Sequence, residues 1–132
     1  MTTDPQMSGR LREHPRQRFA RRERKLDLEE AFDDLLAEPH EPIEGHRQIT
    51  VAKRRGVSLV LFHFEEGGEL PEHAVDGETT IHVLDGALGI QTDEQAHEIG
   101  AGEMLILEPL VEHDVRARAE TKMLMTVCVA EE

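Results

Sequence analysis

From Gln48 onward, short apolar runs alternate with turn residues, and this rhythm constrains the fold more than any other feature of the sequence. The runs predict eight strands, at residues 49–53, 57–65, 79–84, 87–92, 97–99, 104–108, 113–117 and 122–129. The Asp85-Gly86 pair between two of them predicts a tight β-hairpin. Eight short strands in about 80 residues indicate an all-β sandwich or barrel, because a βαβ fold would need helices between the strands.

One short α-helix is predicted ahead of the strands. Apolar residues recur at helical spacing over residues 28–37, and Asp27 followed by Glu30 forms a start that resembles a capping box. Pro39 ends the helix. Residues 40–45 then form a linker to the strands.

The charge of the chain is unevenly distributed. The 132 residues carry a formal net charge of −13. Residues 1–25 hold eight basic and three acidic side chains, a balance of +5, so the remainder carries −18. We therefore divide the chain into a basic N-terminal arm (1–25), a helix and linker (26–47) and a barrel domain (48–132). The acidic body argues against nucleic acid as a partner, because it repels a phosphate backbone.

Two further features bear on the compartment. No apolar run approaches the roughly 18 residues of a membrane span, and the first residues lack the apolar stretch of a secretory signal. We therefore expect a cytoplasmic protein with no membrane partner. Cys128 is the single cysteine, and its apolar strand predicts a small buried side chain.

Strand alternation assigns side chains to the two faces of the predicted sheets. Thr79 shares a face with Ile81 and is expected to point into the barrel, whereas His82 points outward. His63 lies in a strand, 57–65, whose two faces are both apolar. That strand is therefore expected to be covered on both sides, by the helix or by a second subunit.

Two segments resemble the conserved motifs of the cupin family. Residues 68–79 (GELPEHAVDGET), followed by VLDG, resemble the first motif, in which a glycine-led turn presents His-x-His and a later glutamate. Residues 102–113 (GEMLILEPLVEH) resemble the second motif, which ends on a histidine. The resemblance covers residues 48–129 and implies a jelly-roll β-barrel, often dimeric. Cupins include iron or manganese dioxygenases, isomerases, decarboxylases, storage proteins and ligand-binding regulators.

The resemblance carries over only half of the family's metal ligands. His73 and His113 stand at the first and last histidines of the motifs. Val75 stands at the second histidine and Thr79 at the glutamate. Two histidines can hold a divalent ion weakly, but the oxygen chemistry of Fe(II) needs two histidines and a carboxylate.

Glu78 and His63 are the candidates for a third ligand. Glu78 is one residue from the vacant glutamate position, so a one-residue shift or a bulge at Asp76-Gly77 would turn it inward. His63 would have to approach the mouth of the barrel. The cofactor prediction is therefore a weakly held divalent metal (Zn, Ni, Mn or Fe) or none.

Three functions are compatible with this pattern. The loss of two metal ligands favours a binding or sensing module that takes a small molecule in the barrel. The alternatives are a metal-dependent dioxygenase or isomerase that uses His73 and His113 with a third donor, and a non-catalytic structural or interaction protein. A homodimer is expected in each case. The fold alone does not decide between them.

Overall fold

The computed structural model describes residues 22–129, so most of the basic arm predicted at residues 1–25 lies outside the described residues. Within residues 22–129, one helix precedes nine strands. The helix is α1 (Leu28–Leu36). The strands are β1 (His46–Arg54), β2 (Val57–Phe64), β3 (Glu69–His73), β4 (Glu78–Asp85), β5 (Ala87–Thr92), β6 (Ala96–Gly100), β7 (Met104–Leu107), β8 (His113–Ala117) and β9 (Thr121–Cys128).

The strands form two antiparallel sheets, which confirms the predicted all-β architecture. Five strands make one sheet in the order β1-β2-β9-β4-β7, and four make the other in the order β3-β8-β5-β6. Apolar side chains from both sheets pack between them and include Phe62, Phe64, Ile81, Val83, Leu88, Ile90, Leu107, Val115, Met123 and Met125. Because this core is dense with large side chains, polar residues on the inner faces are the candidates for chemistry.

Helix α1 covers the outer face of the five-stranded sheet. Its N-cap residue Asp27 accepts a hydrogen bond from the backbone N–H of Glu30 at 3.1 Å, as the capping pattern predicts. Phe32 and Leu35 of the helix are buried against Val51 and Leu61 of β1 and β2. Strand β2 is therefore covered on both faces, as the sequence predicted, and the covering element on the outer face is the helix.

The helix is too short to cross a membrane. It spans nine residues, and no helix in residues 22–129 is long and apolar enough to do so.

Three expectations from the sequence were wrong. The sequence predicts no strand between residues 65 and 79, where the structure has β3. Asp85-Gly86 does not close a hairpin, because β4 pairs with β7 and β9 whereas β5 pairs with β6 and β8. Cys128 is exposed, because it ends β9 beyond the part of the outer face that the helix covers.

Gly86 instead carries the chain from one sheet to the other. Its φ of 100° lies in the region that favours glycine, and a Cβ there would collide with the carbonyl oxygen of Glu120. The same positive φ that suits a tight hairpin also suits this change of sheet. The local sequence therefore predicted the turn correctly and its partner strands incorrectly.

Candidate functional site

Strands β3 and β8 bring the two motif histidines together. His73 and His113 are register partners across the pair, and the centroids of their rings lie 4.3 Å apart at an interplanar angle of 53°. His113 is 1% exposed, while His73 is partly exposed at the end of β3. The pair therefore runs from the barrel interior toward solvent.

A β-bulge in β3 creates this pairing. Leu70 pairs with Val115, and the next paired residues are His73 and His113. The spacing between these two pairs is three residues on β3 and two residues on β8, so β3 contains one extra residue. Leu70 packs against the barrel core. In a regular strand Glu72 would follow it on the inner face, so the additional residue is what turns His73 inward. Pro71 lies within the bulge and has no N–H to donate to β8.

Both imidazole rings are oriented by a backbone carbonyl two residues earlier. Nδ1 of His73 lies 2.9 Å from the carbonyl oxygen of Pro71, and Nδ1 of His113 lies 3.0 Å from that of Val111. A carbonyl oxygen only accepts hydrogen bonds, so each Nδ1 carries the proton and donates it. In the neutral rings, each Nε2 therefore presents a lone pair.

His113 is the more deeply buried of the two histidines. Its Nε2 is inaccessible to solvent and has no hydrogen-bond partner within residues 22–129. Burial lowers the pKa of His113 below its ordinary value of 6.5, more strongly than the hydrogen bond to Val111 raises it. Repulsion between the two rings when both are protonated lowers the pKa of His113 further, and the carboxylate of Asp114 raises it. The ring is therefore held as a neutral acceptor in an apolar environment.

Two buried threonines also lie on the inner faces of the sheets. Thr79, at the position of the family's glutamate, is 2% exposed and donates its hydroxyl proton to the carbonyl oxygen of Gly77 at 3.1 Å. Thr92 is the register partner of His113 on β5 and donates to the carbonyl oxygen of Gln95 at 3.1 Å. Neither threonine has a hydroxyl proton left for a ligand.

Neither candidate for the third metal ligand is brought to the histidine pair. Glu78 is exposed, and β4 pairs with β9 in unbroken register from Glu78 to Val83, so the bulge that would turn Glu78 inward does not form. His63 shares the helix-covered outer face with Leu61, and its Nε2 lies 2.8 Å from a carboxylate oxygen of Glu120. Both side chains therefore point away from the barrel interior.

The donor set can be tested against the metal centre that the resemblance implies. Residues 22–129 contain no group of three or more His, Cys, Asp or Glu side chains placed to hold a metal ion. The hydroxyl of Thr79 is a poor ligand for a divalent transition metal. The residues present do not fit a three- or four-ligand centre, and they offer at most two Nε2 atoms to an ion whose other ligands come from elsewhere.

Several other polar residues near the two motifs do not point toward the histidine pair. Glu72 and Glu112 precede the two histidines and are exposed, so they do not orient the rings. His82 lies on the outer face of β4, as predicted, and is half-buried there. The groups that sequence reasoning missed are the carbonyls of Pro71 and Val111.

Comparison with known proteins identifies the family of this chain. The cupin domain family profile matches residues 60–129, which is more than half of the chain. The chain therefore belongs to the cupin family, and its two sheets form the jelly roll of that family. No curated protein matches the chain significantly.

Solved structures of cupins share the fold. A cupin superfamily protein from Desulfitobacterium hafniense is 24% identical, with a TM-score of 0.66 over 83% of this chain and 94% of its own. An RmlC-like cupin from Desulfovibrio desulfuricans is 28% identical, with a TM-score of 0.61 over 71% and 92%. KdgF from a Halomonas species is 15% identical, with a TM-score of 0.62 over 70% and 87%. These similarities establish the fold. They do not show the activity of this chain, which has to be argued from its own residues.

Proposed function

We propose that this cupin is a small-molecule-binding protein whose site is the inner end of the barrel at His73 and His113. The observation that carries the proposal is the buried Nε2 of His113, which has no partner within residues 22–129. An unsatisfied buried polar atom costs about 1–3 kcal/mol. Because Nε2 is closed to solvent, a ligand reaches it only if neighbouring side chains move aside, and a ligand that then hydrogen-bonds to Nε2 would recover that cost.

The surroundings support binding more than turnover. Val75 and Thr79 leave the family's metal centre with two of its four donors. Thr79 has no proton to give, and the carboxylates on the segments that carry the histidines are exposed. A general acid or base could come only from the histidines themselves among the inward-facing groups described above. Ligand binding needs only the hydrogen-bonding capacity that the pair possesses.

Differential scanning fluorimetry of a panel of sugars, hydroxy acids, amino acids and amines tests this proposal. A ligand present at about a hundred times its Kd adds about 2.7 kcal/mol to the stability of the folded protein, which is a readily measured rise in Tm. We expect at least one compound to raise the Tm of the parent protein. The effect should be lost in His113→Leu.

His82→Leu is the matched control, because His82 lies on the outer face of the same barrel. It should keep the response of the parent. The proposal is wrong if no compound in the panel stabilises the parent, or if the same compounds stabilise the parent and His113→Leu equally.

The metal-dependent enzyme stays the second candidate. One observation favours it, since metal-binding histidines commonly donate their other ring N–H to a carbonyl or carboxylate, as both rings do here. Elemental analysis of the purified protein beside a His73→Ala/His113→Ala variant tests it. Stoichiometric metal that disappears in the variant would support this candidate, and no uptake after incubation with Fe, Mn, Ni or Zn would exclude it. The homodimer and the cytoplasmic location stay predictions.

A further inference from the structure

The histidine site offers hydrogen-bond acceptors and no side-chain donors. Nδ1–H of His73 and Nδ1–H of His113 are already donated to the carbonyls of Pro71 and Val111. The inward-facing threonines are likewise committed, because Thr79 donates to Gly77. The hydrogen-bonding groups that these side chains have left are therefore the two Nε2 lone pairs and the lone pairs of the Thr79 hydroxyl.

Thr92, beside His113, contributes neither donor nor acceptor. Its hydroxyl donates to the carbonyl oxygen of Gln95 and accepts from the backbone N–H groups of Glu94 and Gln95, each at 3.2 Å. The β5–β6 turn thus uses the full hydrogen-bonding capacity of this hydroxyl. The histidine pair has no neighbouring threonine proton with which to stabilise an anion.

The charged side chains on the segments around the histidine pair also favour a ligand that donates hydrogen bonds and carries a positive charge. The segments that carry the two histidines, residues 71–79 and 107–114, contain six acidic residues and no lysine or arginine. All six are exposed: Glu72, Asp76, Glu78, Glu108, Glu112 and Asp114. Two exposed arginines, Arg54 and Arg55, lie at the same end on the β1–β2 turn. The balance attracts cations and repels anions.

Building on the proposed function, we propose that this site takes a small protonated amine, whose N–H groups donate to Nε2 of His73 and Nε2 of His113, and that it discriminates against carboxylates. An ammonium group carries donors and a positive charge, so it suits both the lone pairs and the acidic rim. A carboxylate would face two acceptors without a proton between them. That mismatch leaves buried polar atoms unsatisfied at about 1–3 kcal/mol.

Three probes of similar size separate the possibilities: ethanolamine as the cation, ethylene glycol as the neutral donor, and glycolate as the anion. Long-range ¹H–¹⁵N spectra of the imidazole nitrogens, recorded at neutral pH with EDTA, report on the two rings directly. We expect both histidines as the Nδ1–H tautomer. Ethanolamine should shift both Nε2 resonances, with a Kd at least about tenfold below that of glycolate.

Variants connect the response to the pair. His113→Leu should abolish the ethanolamine response. If His113→Leu does not fold, His73→Ala replaces it as the test, because His73 is the more exposed ring, and it should also abolish the response. His82→Leu should respond as the parent does. A response that persists in a folded His113→Leu or His73→Ala variant would overturn the inference.

Other outcomes also contradict it. An Nε2–H tautomer in either ring, or no response to ethanolamine, would overturn the inference. So would an ethanolamine response that vanishes with EDTA, because the bound species would then contain a metal. Tighter binding of glycolate or ethylene glycol would overturn the ligand class while leaving a small-molecule site at the pair. The proposed function falls with it only if the fluorimetry panel also yields no ligand.

Discussion

At the scale of single residues, the burial of His113 couples protonation to folding. Burial lowers the pKa of His113 below 6.5, so the unfolded chain takes up this proton first as the pH falls. The unfolded state then binds more protons than the folded state, and stability must decrease with decreasing pH in that range. The contribution of the neutral ring is complete above the ordinary pKa of 6.5 and is lost as the pH falls toward the lower folded value.

Urea unfolding of the parent and of His113→Leu from about pH 7.5 to about pH 5 measures this coupling. We expect the free energy of unfolding to fall more steeply with pH in the parent, because the variant lacks the titrating ring. His82→Leu retains His113 and should keep the steeper dependence. Parallel curves for the parent and His113→Leu would show that the folded environment does not disfavour the charged ring.

Thr79 offers a second test at this scale, because it occupies the glutamate position on the inner face. Thr79→Glu adds a carboxylate to the two histidines, and we expect the affinity for Ni²⁺, measured by titration calorimetry, to rise at least about tenfold. Thr79→Gln is the matched control, with similar size and no charge. Equal Ni²⁺ affinity in the two variants would mean that position 79 does not reach the histidine pair.

Much of the site could be predicted residue by residue, and the rest depended on backbone groups. The motif pointed to His73 and His113, and alternation placed Thr79 inward and His82 outward, as the structure has them. The ring orientations depend on the carbonyls of Pro71 and Val111, which every residue type possesses. No side-chain pattern could reveal them.

At the scale of elements, α1 contributes to stability through the face that it buries. Leu35 is 0% exposed, whereas the adjacent Leu36 is 40% exposed. Leu35→Ala should lower the free energy of unfolding by about 2–5 kcal/mol, because it leaves a cavity above β1 and β2. Leu36→Ala changes the same helix propensity and should cost about 0.5 kcal/mol. Urea denaturation compares the two, and similar losses would mean that the helix does not pack as described.

Elements with a clear hydrophobic periodicity were predictable from the sequence. Elements whose structure depends on pairing with strands distant in the sequence were not. Helix α1 has both a cap and a helical period, and it lies within a residue of its predicted bounds. Strand β3 spans five residues, includes Pro71 and contains a bulge, so it has no alternation to detect. The turn at Gly86 was detectable from the sequence, but the sheet that follows it is decided by long-range pairing.

At the scale of the whole molecule, net charge should make stability depend on salt. Residues 26–132 carry −18, and a compact fold holds like charges closer together than an unfolded chain does. The Debye length falls from about 30 Å at 0.01 M to about 8 Å at 0.15 M ionic strength, so the repulsion is screened over this range. We expect the Tm to rise with added NaCl, chiefly below about 0.15 M. A Tm that is flat or falls would show that attractive pairs balance the repulsion.

The bulge in β3 has a consequence for relatives of this protein. If β3 paired regularly with β8 at the same segment length, Glu72 would take the inner position and the imidazole of His73 would turn toward solvent, although the jelly roll would persist. A related chain could thus keep both histidines in its sequence and still lack the site. The register of β3 against β8, and not the histidine alone, therefore decides whether a relative brings its two imidazole rings together.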